Sequence, residues 1–243
     1  PVPTTVRVLE VKPRSVQLSV HSQGSVMPST ESRLIPEVSG RVVWMSPSLV
    51  AGGYFKQGQL LARVDDVDYR NSLERARATL ERAEAEEQHA RYEFQRIESL
   101  AERKLTSRSQ LENSQRSQRV AGANLRDARA NFEQAEQSLE RTKIVAPFTG
   151  LVRSEDVDIG QFIARGSDIA TLYASAQVEV RLPVADRQLA FLDLPPTMRG
   201  ELPAKLRPVV TLTTEYAGQQ LVWKGEIVRT EAEIEGSSRK AVS

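Results

Sequence analysis

From residue 67 to residue 143 the chain holds no proline and a single glycine, Gly122, and is built mainly from Ala, Glu, Arg, Gln and Leu. No other feature constrains the fold so tightly, because a run of strong helix formers this long has no competitive alternative to helix. Two series recur inside it at alternating steps of four and three. The first is Tyr69, Leu73, Ala76, Leu80, Ala83, Glu87, Ala90, Phe94, Ile97 and Ala101; the second is Leu111, Ser114, Gln118, Ala121, Leu125, Ala128, Phe132, Ala135, Leu139 and Thr142. This is the spacing of a coiled-coil seam. Larger residues favour one seam position and alanines the other, which predicts two helices in close antiparallel contact, folded back near Thr106. That fold sets Leu73 against Leu139, Leu80 against Phe132 and Phe94 against Gln118. At 1.5 Å per residue, a helix of roughly 37 residues reaches roughly 55 Å. The apolar pattern lapses at Thr106, Ser107 and Ser109, and a capping box of Ser107 with Gln110, or of Ser109 with Glu112, can start the returning helix. The tip is therefore expected at residues 104–108. Glu87 and Gln118 are polar seam residues, so the pair is expected to bend or fray at their level.

Composition removes most catalytic chemistries. The 243 residues include no cysteine and only two histidines, His21 and His89, which excludes thiol catalysis, cysteine zinc sites and disulfides and leaves little for a histidine metal centre. The 33 basic and 32 acidic residues nearly cancel, so there is no general field to attract nucleic acid. Charges on the helical block are mixed, with Glu87 to Arg91 and Glu112 to Arg116 spaced as favourable i, i+4 pairs and no basic stripe. Asp65, Asp66 and Asp68 stand where a helix begins and are expected to cap it rather than hold a metal. Met27, Met45 and Met198 are too scattered to be a copper site. No apolar run approaches the roughly 18 residues of a membrane span. The chain starts without Met or a signal peptide, and is expected to be a trimmed or mature part.

Short alternating runs flank the helical block, and they repeat. Gly40, Val42, Gly52, Phe55, Gly58 and Ala62 before it align with Gly150, Val152, Gly160, Ile163, Gly166 and Ala170 after it. The repeat covers about thirty residues. Gly40, Gly58, Gly150 and Gly166 are expected at turns, where glycine admits positive φ, and the runs between them suit short strands. Two similar half-sheets facing each other make one small sandwich, with the helices emerging between the halves. On the flank of the seam, Leu100 is expected to be exposed, and in a continuous helix Ser107 would lie seven residues further along its line.

This order of parts resembles the periplasmic adaptors, or membrane fusion proteins, of bacterial tripartite pumps. The resemblance implies an α+β chain: a split biotinyl/lipoyl-like β-sandwich (residues 34–66 and 144–174), a long antiparallel α-helical coiled-coil hairpin inserted in it (67–143), and a β-barrel domain (26–33 and 175–243). Residues 178–184, 209–213 and 220–230 read as strands of that barrel and 185–191 as a short helix. The stretch from Gln220 through Thr230 to Ile234 and Arg239 looks like the barrel of adaptors that serve resistance-nodulation-division pumps. Strands at 6–11 and 16–20 imply part of a membrane-proximal domain (1–25), which the family usually completes with strands beyond the barrel and which is expected to be incomplete here.

Adaptors that engage TolC-type outer-membrane channels carry Arg, Leu and Ser at the spacing of Arg96, Leu100 and Ser107. The resemblance implies that these three dock the channel. The hairpin seam is then carried by Leu73, Leu80, Phe94, Ile97, Leu111, Leu125, Phe132 and Leu139. The implied function is a non-catalytic periplasmic adaptor, without cofactor, joining an inner-membrane resistance-nodulation-division transporter to the channel of a Gram-negative multidrug pump. Six copies are expected to line up as a sealed conduit, held to the inner membrane by a segment outside this chain. An adaptor of an ABC-type pump or a type I secretion system is the alternative. A lipoyl or biotinyl carrier is a distant one, since neither Lys104 nor Lys143 has the Met-Lys-Met or Asp-Lys-Ala setting of such carriers.

Overall fold

A computed structural model describes residue 12, residues 18–192 and residues 200–230. Described residues from Met27 to Glu179 form one compact unit, and those before and after form a second. The strand β1 (Val26–Pro28) opens the first unit.

The repeat builds two four-stranded antiparallel sheets. Its first half supplies β2 (Glu31–Leu34), β3 (Gly40–Met45), β4 (Tyr54–Phe55) and β5 (Leu60–Val64). The second half, after the helices, supplies β6 (Lys143–Val145), β7 (Gly150–Glu155), β8 (Phe162–Ile163) and β9 (Ala170–Ala174). The sheets run β2-β9-β7-β4 and β6-β5-β3-β8. Neither half makes its own sheet: each lends two strands to the other, β2 and β4 in one direction, β6 and β8 in the other. The exchange is two-fold in register. Phe55 pairs with Gly150 as Ile163 pairs with Gly40, and the Gly52 amide donates to the Val152 carbonyl as the Gly160 amide donates to that of Val42. The register shift between Val42 and Trp44 recurs between Val152 and Ser154. Inward side chains from both halves, among them Val42, Phe55, Leu61, Val152, Ile169 and Leu172, form one fully buried core. Because β2 pairs with β9, residues 31–33 belong to this sandwich and not to the barrel assigned to them from sequence.

The four aligned glycines divide into two kinds. Gly58 and Gly166 sit at φ of 77° and 89°, with open space where a Cβ would be. Gly40 and Gly150 are not turn residues: they open β3 and β7. A Cβ on Gly40 would meet the Val64 side chain, and one on Gly150 would collide with the Tyr173 main-chain carbonyl. Glycine is used there for close strand approach.

Between β5 and β6 stand α1 (Val67–Glu102) and α2 (Arg108–Glu140), packed on each other. All twenty residues of the two sequence series are shielded, with Ala83, Ala121 and Ala128 buried and Thr142 fully so. The Arg77 guanidinium lies over the Phe132 ring, 5.9 Å from its centre, which brings Phe132 within about a turn of its expected partner Leu80. Both helices run unbroken past Glu87 and Gln118. Amide exchange is still expected to be faster at that level than around Leu80 and Phe132, because a polar seam residue forfeits apolar burial; equal protection along both helices would contradict this. Of the two charge pairs expected from spacing, Glu112 is taken by Arg108 on its N-terminal side, at 2.9 Å.

The base of the pair is tied into the sandwich. The Tyr69 hydroxyl donates to the Ser39 carbonyl (2.7 Å), Arg141 pairs with Glu37 (2.9 Å), and the Val64 amide donates to the carbonyl of buried Thr142 (2.9 Å). Asp66 takes the cap position of α1 without a capping bond and pairs with Arg70 instead. Its neighbour Asp65 accepts from the Val67 amide. Among the described residues, no helix is long and apolar enough to cross a membrane, and no cluster of three acidic or histidine side chains is placed to hold a metal.

β10 (Val178–Val180) leads to the second unit, which contains α3 (Asp186–Leu189) and two antiparallel strand pairs. β11 (Gly200–Glu201) pairs with β14 (Arg229–Thr230), and β12 (Val209–Tyr216) pairs with β13 (Gln219–Glu226). Ala217 and Gly218, both at positive φ, join β12 to β13, as a tight hairpin turn requires. The strand expected over 178–184 stops at Val180, before Pro183, which lacks an amide for a ladder. That expected over 220–230 is broken after Glu226. With β1 paired to β10, three two-stranded sheets and not a closed barrel are formed by the described residues of the stretch expected as barrel. The strands expected at 6–11 and 16–20 lie outside these, except residues 18–20, which are not strand; residues 231–239 also lie outside.

Candidate functional site

The far end of the helix pair is closed by two reciprocal devices. At the end of α1, the Lys104 amide donates to the Ala101 carbonyl and the Leu105 amide to the Leu100 carbonyl, both at 2.9 Å. With Lys104 left-handed at φ 58°, this is a Schellman motif. At the start of α2, the Ser107 hydroxyl accepts from the Gln110 amide, and the Gln110 side chain accepts from the Ser107 amide, both at 3.2 Å. The Thr106 hydroxyl donates to the same Gln110 oxygen at 2.6 Å. The connecting residues are 103–107, and the Ser107 capping box is the one used; its rival Ser109 is already the second residue of α2.

Two energetic consequences can be measured. Ser107→Ala removes the cap and is expected to cost about 1 kcal/mol at the start of α2, seen as faster exchange of the Gln110 amide. Lys104→Gly relieves a left-handed side-chain clash of about 1 kcal/mol and is expected to slow exchange at Leu105.

The structure places Arg96 and Leu100 one turn apart on α1 and Ser107 on the other helix, because α1 ends at Glu102. The single line of three expected from a continuous helix is therefore broken by the turn. Leu100 is half-buried, not exposed: the C3 position of a Schellman turn lies under the returning chain. Arg96 is already engaged, its Nε and Nη2 donating to the two Glu93 oxygens at 3.0 and 2.6 Å. That hydrogen bonding holds the Glu93 carboxyl below the usual carboxylate range, burial opposing it, with the charges of Arg96 and His89 adding to the effect. The pair therefore loosens only as pH falls through this lowered value. Arg96 and Ser107 can still bond to a partner while keeping these bonds, the former through its Nη1 hydrogens and the latter through the second lone pair of its hydroxyl oxygen.

Sequence reasoning missed Leu105, the most exposed apolar side chain of the tip at 69%. Its signal was present: a leucine two residues beyond the C-cap, here Arg103, is the hydrophobic position of a Schellman turn, but helix ends are poorly located from sequence.

Among known proteins, no family model matches the chain. The multidrug resistance protein MdtA of Photorhabdus laumondii is 26% identical over 186 residues, 76% of this chain and 46% of that protein. The efflux pump periplasmic linker BepD of Brucella suis is 26% identical over 179 residues, 74% of this chain and 45% of that protein. The chain thus spans about half the length of the curated relatives it matches. In fold it is similar to the membrane fusion protein Spr0693 of Streptococcus pneumoniae, with a TM-score of 0.59 at 16% identity over 88% of this chain and 84% of that one.

Proposed function

We infer that this chain is a membrane fusion protein, the periplasmic adaptor of an efflux pump, with a structural and not an enzymatic task. It joins an inner-membrane transporter of the resistance-nodulation-division class to a TolC-type outer-membrane channel in a Gram-negative periplasm. The helix pair serves as a coiled-coil hairpin about 54 Å long, the duplicated sandwich as its lipoyl-like base, and the second unit as part of a β-barrel domain facing the transporter. Six copies side by side make a sealed conduit, held to the inner membrane by a segment outside this chain. Substrate choice and energy belong to the transporter.

The observation that carries this reading is the tip: both helix ends are closed by hydrogen-bonded caps, and Arg96, Leu100 and Ser107 all lie within two turns of it. A turn capped at both ends resists deformation when pressed against another protein, since several of its end amides and carbonyls are already paired. Relatives named as a multidrug resistance protein and an efflux pump periplasmic linker support the setting.

The absence of cysteine makes the test direct. A single cysteine is placed at Leu100 or Ser107, and a short thiol crosslinker is added to intact cells that carry a TolC-type channel with cysteines at its periplasmic tips. An adduct from the tip positions, absent from a mid-hairpin control at Arg82, is the expected result. No adduct with any channel of this type, from a chain shown to be periplasmic, rejects tip docking.

A further inference from the structure

We propose that Leu105 is the side chain the tip inserts into its partner, and that the surface it fits is an apolar notch rimmed by carboxylates. This rests on the docking reading above and adds which residue enters and what receives it.

A single exposed leucine is ordinary on a protein surface. Leu105 differs in how it is held. Only Leu105 and Thr106 lie between the Schellman turn and the α2 cap, and the Leu105 amide is already bonded to the Leu100 carbonyl. The backbone beneath the side chain is therefore clamped on both sides, which fixes the direction of its Cα–Cβ bond, and the side chain stands 69% exposed. The clamp also depends on Lys104 standing at φ 58°, a conformation in which glycine is the usual choice. A leucine carried on such a turn loses little backbone freedom on binding, the property of a preorganised anchor. Leu100, by contrast, is half-buried in the lone chain and has less surface left to give.

Charge selects the receiving surface. From Leu100 to Arg108 the chain carries Arg103, Lys104 and Arg108 against Glu102 alone. Arg108 is paired with Glu112, while Arg103 and Lys104 directly precede Leu105 and are exposed. Carboxylates around the notch would meet these cations as the leucine enters, whereas a basic rim would repel them.

The experiment uses the full chain with a Ser109→Cys reporter, which leaves the Ser107 cap in place, and the channel bearing tip cysteines. Leu105→Ser, and separately Arg103→Glu with Lys104→Glu, are each expected to lower adduct yield at least about tenfold, while Leu105→Met keeps most of it. Exchange at the Gln110 amide confirms that each variant retains its cap. Unchanged adduct yield in both variants, with loss in Leu100→Asp, overturns the assignment of Leu105 and leaves docking through Leu100. Loss in Leu105→Ser but not in the charge variant overturns the carboxylate rim. If the reporter alone gives no adduct, the docking reading fails, and this inference fails with it.

Discussion

Gly150→Ala is expected to cost at least about 3 kcal/mol, and at moderate temperature to leave the sandwich largely unfolded. The new Cβ would collide with the Tyr173 carbonyl oxygen. That oxygen belongs to β9, which pairs on its other edge with β2, so it cannot swing aside as a side chain would. Gly40→Ala, its partner in the repeat, meets only the Val64 side chain. Rotation of that side chain should hold the cost to about 1–3 kcal/mol. Gly58→Ala finds open space and suffers only its positive φ, about 1–2 kcal/mol. Urea titrations followed by Trp44 fluorescence in a Trp223→Phe background measure all three. An order other than Gly150 first, with Gly40 and Gly58 well behind it, would contradict the structural account of these glycines.

Leu100→Asp combined with Ser107→Arg is expected to reduce efflux resistance to the level of a strain lacking the chain, at normal expression. A carboxylate placed in a packed joint should cost several kcal/mol, and one or two already lower occupancy of the joint by about tenfold or more. Ser107→Arg also removes the α2 cap, so a partly loosened tip is a rival cause. Helicity and exchange protection along α1 and α2, with Ser107→Ala as the control for cap loss alone, separate the two: resistance lost in the double variant but kept in Ser107→Ala assigns the effect to docking. Unchanged resistance would reject the proposed site.

The parts of this protein that were legible in its sequence are those governed by near neighbours along the chain. Seam residues such as Leu80 and Phe132 repeat every three or four positions because one helix face repeats there, and every member of both series is shielded in the structure. Ser107 with Gln110 is a contact three residues apart, and it forms as expected. The repeat itself was visible, since inward residues such as Val42 and Val152 are under the same packing demand in both halves.

Only the tertiary structure decided what depends on distant neighbours. The alignment of Phe55 with Ile163 does not reveal that each pairs across to the other half, because pairing between strands about a hundred residues apart leaves no local period. Gly40 and Gly58 look alike as letters, yet one makes room for Val64 and the other supplies a left-handed turn. Leu100 looked like the exposed leucine of the tip until Lys104 turned the chain back and left Leu105 outside. Sequence alone thus determined the helices, their seam and the place of the turn, through interactions that span a few residues. Which strands exchange, which glycines are crowded and which leucine faces outward were set by chain segments that meet only when the whole unit folds.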